Sequence, residues 1–128
     1  MKTLKTLTIL IFMMGLSIHG FSQINPVSTV CPAPSDAYVA DVQTSQATFF
    51  WQPDKFTSEW TIEIGPEGFT PGNGTALKTL DVRVARVTPL LAEKITGLSS
   101  STYYSVFIKT ECDGSGSKWV GPVIFKTR

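Results

Sequence analysis

The sequence predicts an all-β protein, an antiparallel sandwich of seven short strands in two facing sheets. In several short segments apolar side chains recur at every second position, most clearly between Tyr103 and Cys112. Strands with one buried face have this period, because successive side chains point to opposite sides. Clusters of glycine, proline and serine separate the segments, as turns separate the strands of an all-β domain.

Gly97–Cys112 predicts a tight corner followed by the longest strand. Its β-branched and aromatic residues favour a pleated surface over a helix. Its apolar face is formed by Tyr104, Val106, Ile108 and Thr110. A buried ring at Tyr104, six positions after Leu98, is placed to anchor its hydroxyl on the backbone of the corner, an arrangement called a tyrosine corner. The alternative is an ordinary buried tyrosine in another β-fold.

The start of the chain has the features of a secretory signal peptide. A basic beginning precedes an apolar run, Leu7–Ile18, and a suitable cleavage stretch, Gly20–Ser22. The run is shorter than the roughly 20 residues that a membrane helix needs, although a retained anchor is the alternative. We therefore predict a signal peptide at 1–22, a leader at 23–30 and one domain at 31–128, with no membrane span in the mature chain.

Removal of the signal peptide changes the charge and the chemistry of the chain. Lys2, Lys5 and the only histidine, His19, lie in it, so eleven basic residues become nine against ten acidic ones, a net charge of −1. A near-neutral chain has no general attraction for nucleic acid or an anionic membrane. Without histidine, Ser-His and Cys-His catalysis are excluded, and zinc loses a common ligand. Because the carboxylates are scattered along the sequence, we predict no catalytic residue, no metal site and no cofactor.

The remaining strands follow from shorter patterns. Ala47–Gln52 and Trp60–Ile64 alternate clearly, whereas Ala37–Val42 and Leu91–Leu98 alternate weakly. The last strand, Trp119–Lys126, contains a proline, which implies an edge strand or a bulge. The predicted core residues are Trp51, Trp60, Ile62, Ile95, Leu98, Tyr104, Val106 and Ile108.

Thr75–Val87 is compatible with two structures. Leu77, Leu80 and Val84 have helical spacing, but apolar and polar residues also alternate between Leu80 and Val84. The β-branched residues of this segment lose side-chain freedom in a helix, and Pro89 prevents a helix from continuing. We therefore predict a strand.

Phe107 and Trp119 are predicted to point outward on neighbouring strands. An exposed aromatic pair can form a protein interface or a sugar-stacking platform; alternatively, a lysine stem such as that of Lys109 covers it. Asp113–Ser117 is predicted to be a flexible turn, because it lacks the further carboxylates of a calcium loop. Asn73-Gly74-Thr75 matches the glycosylation acceptor pattern, which matters only in a eukaryotic host, and a hairpin turn is the better interpretation.

Cys31–Arg128 resembles the fibronectin type III family over essentially the whole predicted mature chain. The matching residues are Pro34 before the first strand, Trp51 in the second, and Gly97, Leu98, Thr102, Tyr104, Val106 and Ile108 around the corner. The chain is also similar to such modules in secreted proteins of the Bacteroidetes, which often carry a Cys-Pro-x-Pro start and segments like Glu63–Gly74 and Trp119–Phe125. Two departures are a Ser100-Ser101 pair in place of Pro-Gly at the corner, and the absence of Arg-Gly-Asp, which leaves integrin-type adhesion without support.

The resemblance has structural and functional implications. In the family topology the first strand starts, and the sixth strand ends, at one pole of the sandwich, so Cys31 and Cys112 face each other from opposite sheets. Export also favours a disulfide between them, the alternative being two unpaired buried thiols. The implied function is a non-catalytic module, secreted, periplasmic or on the cell surface, for protein–protein interaction or adhesion, or a spacer.

Two other functions stay open at this point. One is an accessory domain of a larger secreted enzyme, and the other is a carbohydrate-binding module that uses Phe107 and Trp119. The predicted partner is accordingly an unidentified protein, a surface glycan or further domains of a longer protein, and not a nucleic acid.

Overall fold

The computed structural model describes residues 30–128, and every regular element in that range is a β-strand. The predicted signal peptide and nearly all of the predicted leader lie outside the described residues and stay predictions. The strands are β1 (Ser35–Ala40), β2 (Ala47–Gln52), β3 (Glu59–Pro66), β4 (Lys78–Arg83), β5 (Leu91–Ile95), β6 (Tyr103–Cys112), β7 (Ser115–Gly116) and β8 (Val120–Lys126).

The strands form two antiparallel sheets. The smaller sheet has the order β1-β2-β5, and the larger has the order β4-β3-β6-β8, with the short β7 paired to the end of β6. All pairings are antiparallel. The predicted all-β sandwich is confirmed, and strand β6 lies at the centre of the larger sheet between β3 and β8.

Several predicted boundaries were wrong. The first strand runs over Ser35–Ala40 rather than Ala37–Val42, because Asp41 has a left-handed backbone with φ of 51° that ends the strand before Val42. The predicted turn Asp113–Ser117 contains β7, since the chain folds back there and pairs Cys112 with Ser115. Pro122 lies in the edge strand β8, where the register against β6 shifts between Val106 and Ile108, as its sequence predicts.

The ambiguous segment Thr75–Val87 is extended rather than helical. Its central part, Lys78–Arg83, pairs with β3 along its whole length. The strand is shorter than predicted because the residues before it belong to the preceding loop. After it, the Val84 N–H donates to the carbonyl of Ser58 at 3.0 Å.

The core lies between the two sheets. Seven of the eight predicted core residues are at most 5% exposed, and they pack with Ala47, Phe49, Ile64 and Phe125. The rings of Trp51 and Trp60 meet edge to face, with centroids 5.6 Å apart. Leu98 is the exception, because it is only half-buried and packs at the margin of the core.

The corner before β6 has the predicted geometry. The backbone N–H of Ser99 donates a hydrogen bond to the Tyr104 hydroxyl oxygen at 2.8 Å. The Tyr104 ring is buried and stacks on Phe125, with centroids 5.7 Å apart. The hydroxyl therefore fixes the entry of the longest strand, as expected of a tyrosine corner.

Tyr104→Phe is expected to lower the free energy of unfolding by about 1–2 kcal/mol, because the Ser99 N–H loses its acceptor while the ring packing stays. Urea-induced unfolding followed by fluorescence measures this difference. Tyr103→Phe is the matched control, since the Tyr103 side chain is 51% exposed. Equal stability of the two variants would contradict the anchoring role of the Tyr104 hydroxyl.

Candidate interaction surface

A loop folds back over the outer face of the larger sheet. We call this loop, residues 67–77 between β3 and β4, the strap. The Gly72 N–H donates to the Glu63 carboxylate at 2.9 Å, and the Gly68 N–H lies 3.4 Å from the Ser105 hydroxyl oxygen. Both acceptors lie on the predicted outer side of their strands, yet Glu63 is only 9% exposed and Ser105 only 1%. The strap therefore buries positions that strand alternation alone assigns to solvent.

Phe69 is the side chain by which the strap covers Phe107. Its ring lies over Gly65, where a Cβ atom would come within 2.6 Å of it. The Phe69 and Phe107 rings meet edge to face, with centroids 5.3 Å apart. On β8, Gly121 also lies against Phe107, because a Cβ there would approach the ring to 2.8 Å. Phe107 is therefore half-buried between the strap and the edge strand.

Trp119 is covered by different groups. A Cβ on Gly72 of the strap would lie 3.1 Å from the indole Nε1, and the Lys109 ammonium lies 5.2 Å from the ring centroid. Trp119 is half-buried as a result. Phe107 and Trp119, the two predicted interaction residues, therefore both lie on the outer face, and each is partly covered by different groups. The position of Lys109 over Trp119 agrees with the alternative interpretation, in which a lysine side chain covers the aromatic residues.

Two large apolar side chains on strands β6 and β8 of this face are exposed. Tyr103 is 51% exposed and Ile124 is 50% exposed. Ile124 pairs with Ser105 across the β6–β8 ladder, so it lies diagonally between Tyr103 and Phe107. We call Tyr103, Phe107, Ile124 and Phe69 together the apolar strip. Sequence analysis missed Ile124, although its alternation with the buried Phe125 was a signal, and missed Phe69, whose position depends on the path of the strap.

A polar cluster occupies the other end of β6. Glu111 accepts a hydrogen bond from the Thr61 hydroxyl at 2.8 Å and forms an ion pair with Lys109 at 3.0 Å. Partial burial raises the pKa of the Glu111 carboxyl, but the hydrogen bonds from Lys109 and Thr61, together with the attraction of the ammonium, outweigh burial. The pKa of Glu111 therefore lies below its ordinary value, and the carboxylate form is favoured.

Glu111→Gln is expected to lower stability at neutral pH but not in acid. Because the folded-state pKa is lowered, the stabilisation is fully present above the ordinary pKa and is lost as the pH falls through the folded-state value. Urea unfolding of wild type and variant at neutral pH and below the folded-state pKa measures the two differences. Glu67→Gln, at an exposed strap residue, is the control. A stability difference that is the same at both pH values would contradict the prediction.

A disulfide joins the two sheets at one pole. Cys31, just before β1, is bonded to Cys112 at the end of β6, with Cα atoms 5.8 Å apart and a sequence separation of 81. An open groove of about 650 Å³ lies beside the bond. Two of its carboxylates, Glu59 and Glu111, already form ion pairs with Arg83 and Lys109.

The described part of the chain shows no other assembled site. Within residues 30–128, no three His, Cys, Asp or Glu side chains are grouped so that they could hold a metal ion. The same range contains no helix of the length and hydropathy needed to cross a membrane.

Comparisons with known proteins agree with the observed architecture. Neither a family model nor a curated protein matches the sequence. Among solved structures, the fn3 domain of human collagen alpha-1(XX) chain is 20% identical with a TM-score of 0.61, over 78% of this chain and 88% of that chain. The FN5 domain of Drosophila Lar is 19% identical with a TM-score of 0.53, over 73% and 92%.

A multidomain structure is also similar. The chicken CNTN1 FN1-FN3 domains are 15% identical with a TM-score of 0.59, and the match covers 74% of this chain but 31% of that one. Identities this low carry information about fold alone. Residues 30–128, with their two-sheet topology and their tyrosine corner, have the fibronectin type III fold.

Proposed function

We propose that the chain is a secreted, non-catalytic module that binds a partner protein through the apolar strip. The observation that carries this proposal is the pair of half-exposed side chains, Tyr103 and Ile124, beside the half-buried Phe107 on the outer face of the larger sheet. Aromatic and aliphatic groups that lie side by side at a surface are typical of the centres of protein interfaces. The strip also has a charged border, because the Lys126 ammonium lies 5.2 Å from the Tyr103 ring centroid.

The geometry supports a protein partner better than a glycan. A sugar-stacking platform needs an aromatic face that is open to solvent. The Phe107 ring is met by Phe69, and Trp119 lies between Gly72 and Lys109. Phe107 and Trp119, the two residues of the carbohydrate-binding alternative, therefore offer no open pair of ring faces.

Secretion and the absence of catalysis are parts of the same proposal. The disulfide supports an oxidising compartment, where such bonds persist, and it agrees with the predicted signal peptide. Glu59 and Glu111, which line the groove beside the disulfide, are both engaged in ion pairs, with Arg83 and Lys109 respectively. A spacer or accessory role within a longer protein stays as the second function, favoured by the match to a multidomain chain.

Cell-surface binding of the labelled, secreted chain tests the proposal. We expect saturable binding to the cells that produce it, reduced at least tenfold in apparent affinity by Tyr103→Ala combined with Ile124→Ala. The matched control combines Leu77→Ala and Leu90→Ala, which remove apolar residues that are 67% and 44% exposed outside the strip. Protease treatment of the cells is expected to abolish binding, whereas glycosidase treatment is expected to leave it.

Three results would contradict this function. Absence of saturable binding would favour the spacer role. Equal losses in the strip variant and the control variant would remove the strip as the contact surface. Loss of binding after glycosidase treatment alone would favour a carbohydrate-binding module.

A further inference from the structure

We propose that Asn73, in the strap, is a site of spontaneous covalent modification that converts it to aspartate and isoaspartate, and that this change uncovers Trp119. Asn73 is exposed and is followed by Gly74. It is one of two asparagines in the chain. The other, Asn25, precedes Pro26, whose nitrogen carries no hydrogen and cannot react in the same way.

The reaction needs no reagent except water. The backbone nitrogen of Gly74 attacks Cγ of Asn73 and gives up its proton to water. Nδ2 takes a proton from water, the bond from Cγ to Nδ2 breaks, ammonia leaves, and a cyclic succinimide remains. Water opens this ring at either of its carbonyl groups. One opening gives aspartate, and the other gives isoaspartate, in which the main chain runs through the former side chain.

The local hydrogen bonds favour the first step. Oδ1 of Asn73 accepts from the Thr75 N–H at 3.1 Å and from the Thr75 hydroxyl at 2.5 Å. Both donors draw electron density from the carbonyl carbon and stabilise the negative charge that develops on Oδ1 as the nitrogen adds, as donors at an oxyanion do.

The space beside the Gly74 Cα is open. Gly74 carries no side chain, and a Cβ placed there would meet no atom within 4 Å. Its φ of +80° lies in the region that glycine adopts readily, and the missing side chain leaves no group on Gly74 to hinder closure of the ring.

The modification affects the strap because both sides of Asn73 are anchored. On the N-terminal side of Asn73, the Gly72 N–H donates a hydrogen bond to the Glu63 carboxylate. On the C-terminal side, the Leu77 N–H donates to the Ile64 carbonyl at 2.9 Å. Isoaspartate adds a methylene group to the main chain between these anchors, so the strap must bow outward or release one of them. Gly72 lies against the Trp119 indole, and its displacement therefore exposes Trp119.

Incubation of the full secreted chain at mildly alkaline pH tests both parts. Peptide mass spectrometry with enzymatic methylation of isoaspartate measures the modification, and tryptophan emission measures exposure. We expect isoaspartate at position 73 and not at Asn25, with none in Asn73→Gln, whose longer side chain closes a less favourable ring. Thr75→Val is expected to slow the reaction severalfold. In wild type, a red shift of the tryptophan emission should accompany the formation of isoaspartate. This shift should be absent from Trp119→Phe.

Each other outcome overturns a stated part of the proposal. An unmodified Asn73 after prolonged incubation overturns the site. An equal rate in Thr75→Val overturns the contribution of the hydroxyl group. Isoaspartate without a change in emission, or with the same change in Trp119→Phe, overturns the exposure of Trp119.

Discussion

Replacement of both Cys31 and Cys112 by serine is expected to lower the free energy of unfolding by about 2–5 kcal/mol. The bond closes a loop between residues 81 apart, so its loss gives the unfolded chain a large gain in conformational freedom. It also removes the only covalent cross-link within residues 30–128, which ties the segment before β1 to the end of β6. Denaturant unfolding of the two chains measures the difference, and the slope of the transition is expected to rise because the unfolded state expands.

Reduction of the wild-type chain is the control for this experiment. A reductant should bring wild type to the stability of the double variant and leave the double variant unchanged. If the reduced and oxidised wild-type chains unfold at the same denaturant concentration, the disulfide contributes nothing measurable and the prediction is wrong.

Trp51→Ala is expected to destabilise the sandwich by about 3–5 kcal/mol, the range for removal of a large buried aromatic residue. The Trp51 side chain is fully buried and packs against Phe49 and Trp60. Because the domain is held by a margin of roughly 5–15 kcal/mol, this variant should be measured with the disulfide intact.

Trp51→Phe separates packing from hydrogen bonding at the same position. In the described structure the Trp51 indole N–H has no hydrogen-bond partner, so its removal leaves no acceptor unpaired. We expect this variant to lose less than half of what Trp51→Ala loses. Phe56→Ala, at a residue that is 84% exposed, should change stability little. Equal losses for the two Trp51 variants would indicate that the indole N–H is bonded.

The features that sequence predicted are those set by local patterns. Alternation within β2, β3 and β6 identifies which side chains point into the core, since the period of a strand is two wherever it lies. The hydrogen bond between the Tyr104 hydroxyl and the backbone of the corner was also predictable from local sequence, because both groups belong to one short corner. The outward orientation of Ile124 could have been predicted from the same kind of alternation in β8.

The strap was not predictable, because its contacts depend on the direction in which a glycine- and proline-rich loop leaves the sheet. Residues 65–74 indicated turns and no more. The burial of Glu63, the cover over Phe107 and the partner of Trp119 all follow from the path of that loop. Strand alternation assigned the correct side of the sheet to Phe107, but it carries no information on what lies above that side.

Strand β8 has a consequence for how the module behaves beside its neighbours. Its outer edge would be a template for pairing with another polypeptide if its ladder groups were regular and unpaired. Pro122 removes one donor from that edge, and the register shift bends the ladder near the same point. The β8 edge is therefore a poor template for adding a strand from another polypeptide, so we expect this edge to resist edge-to-edge pairing between copies of the module.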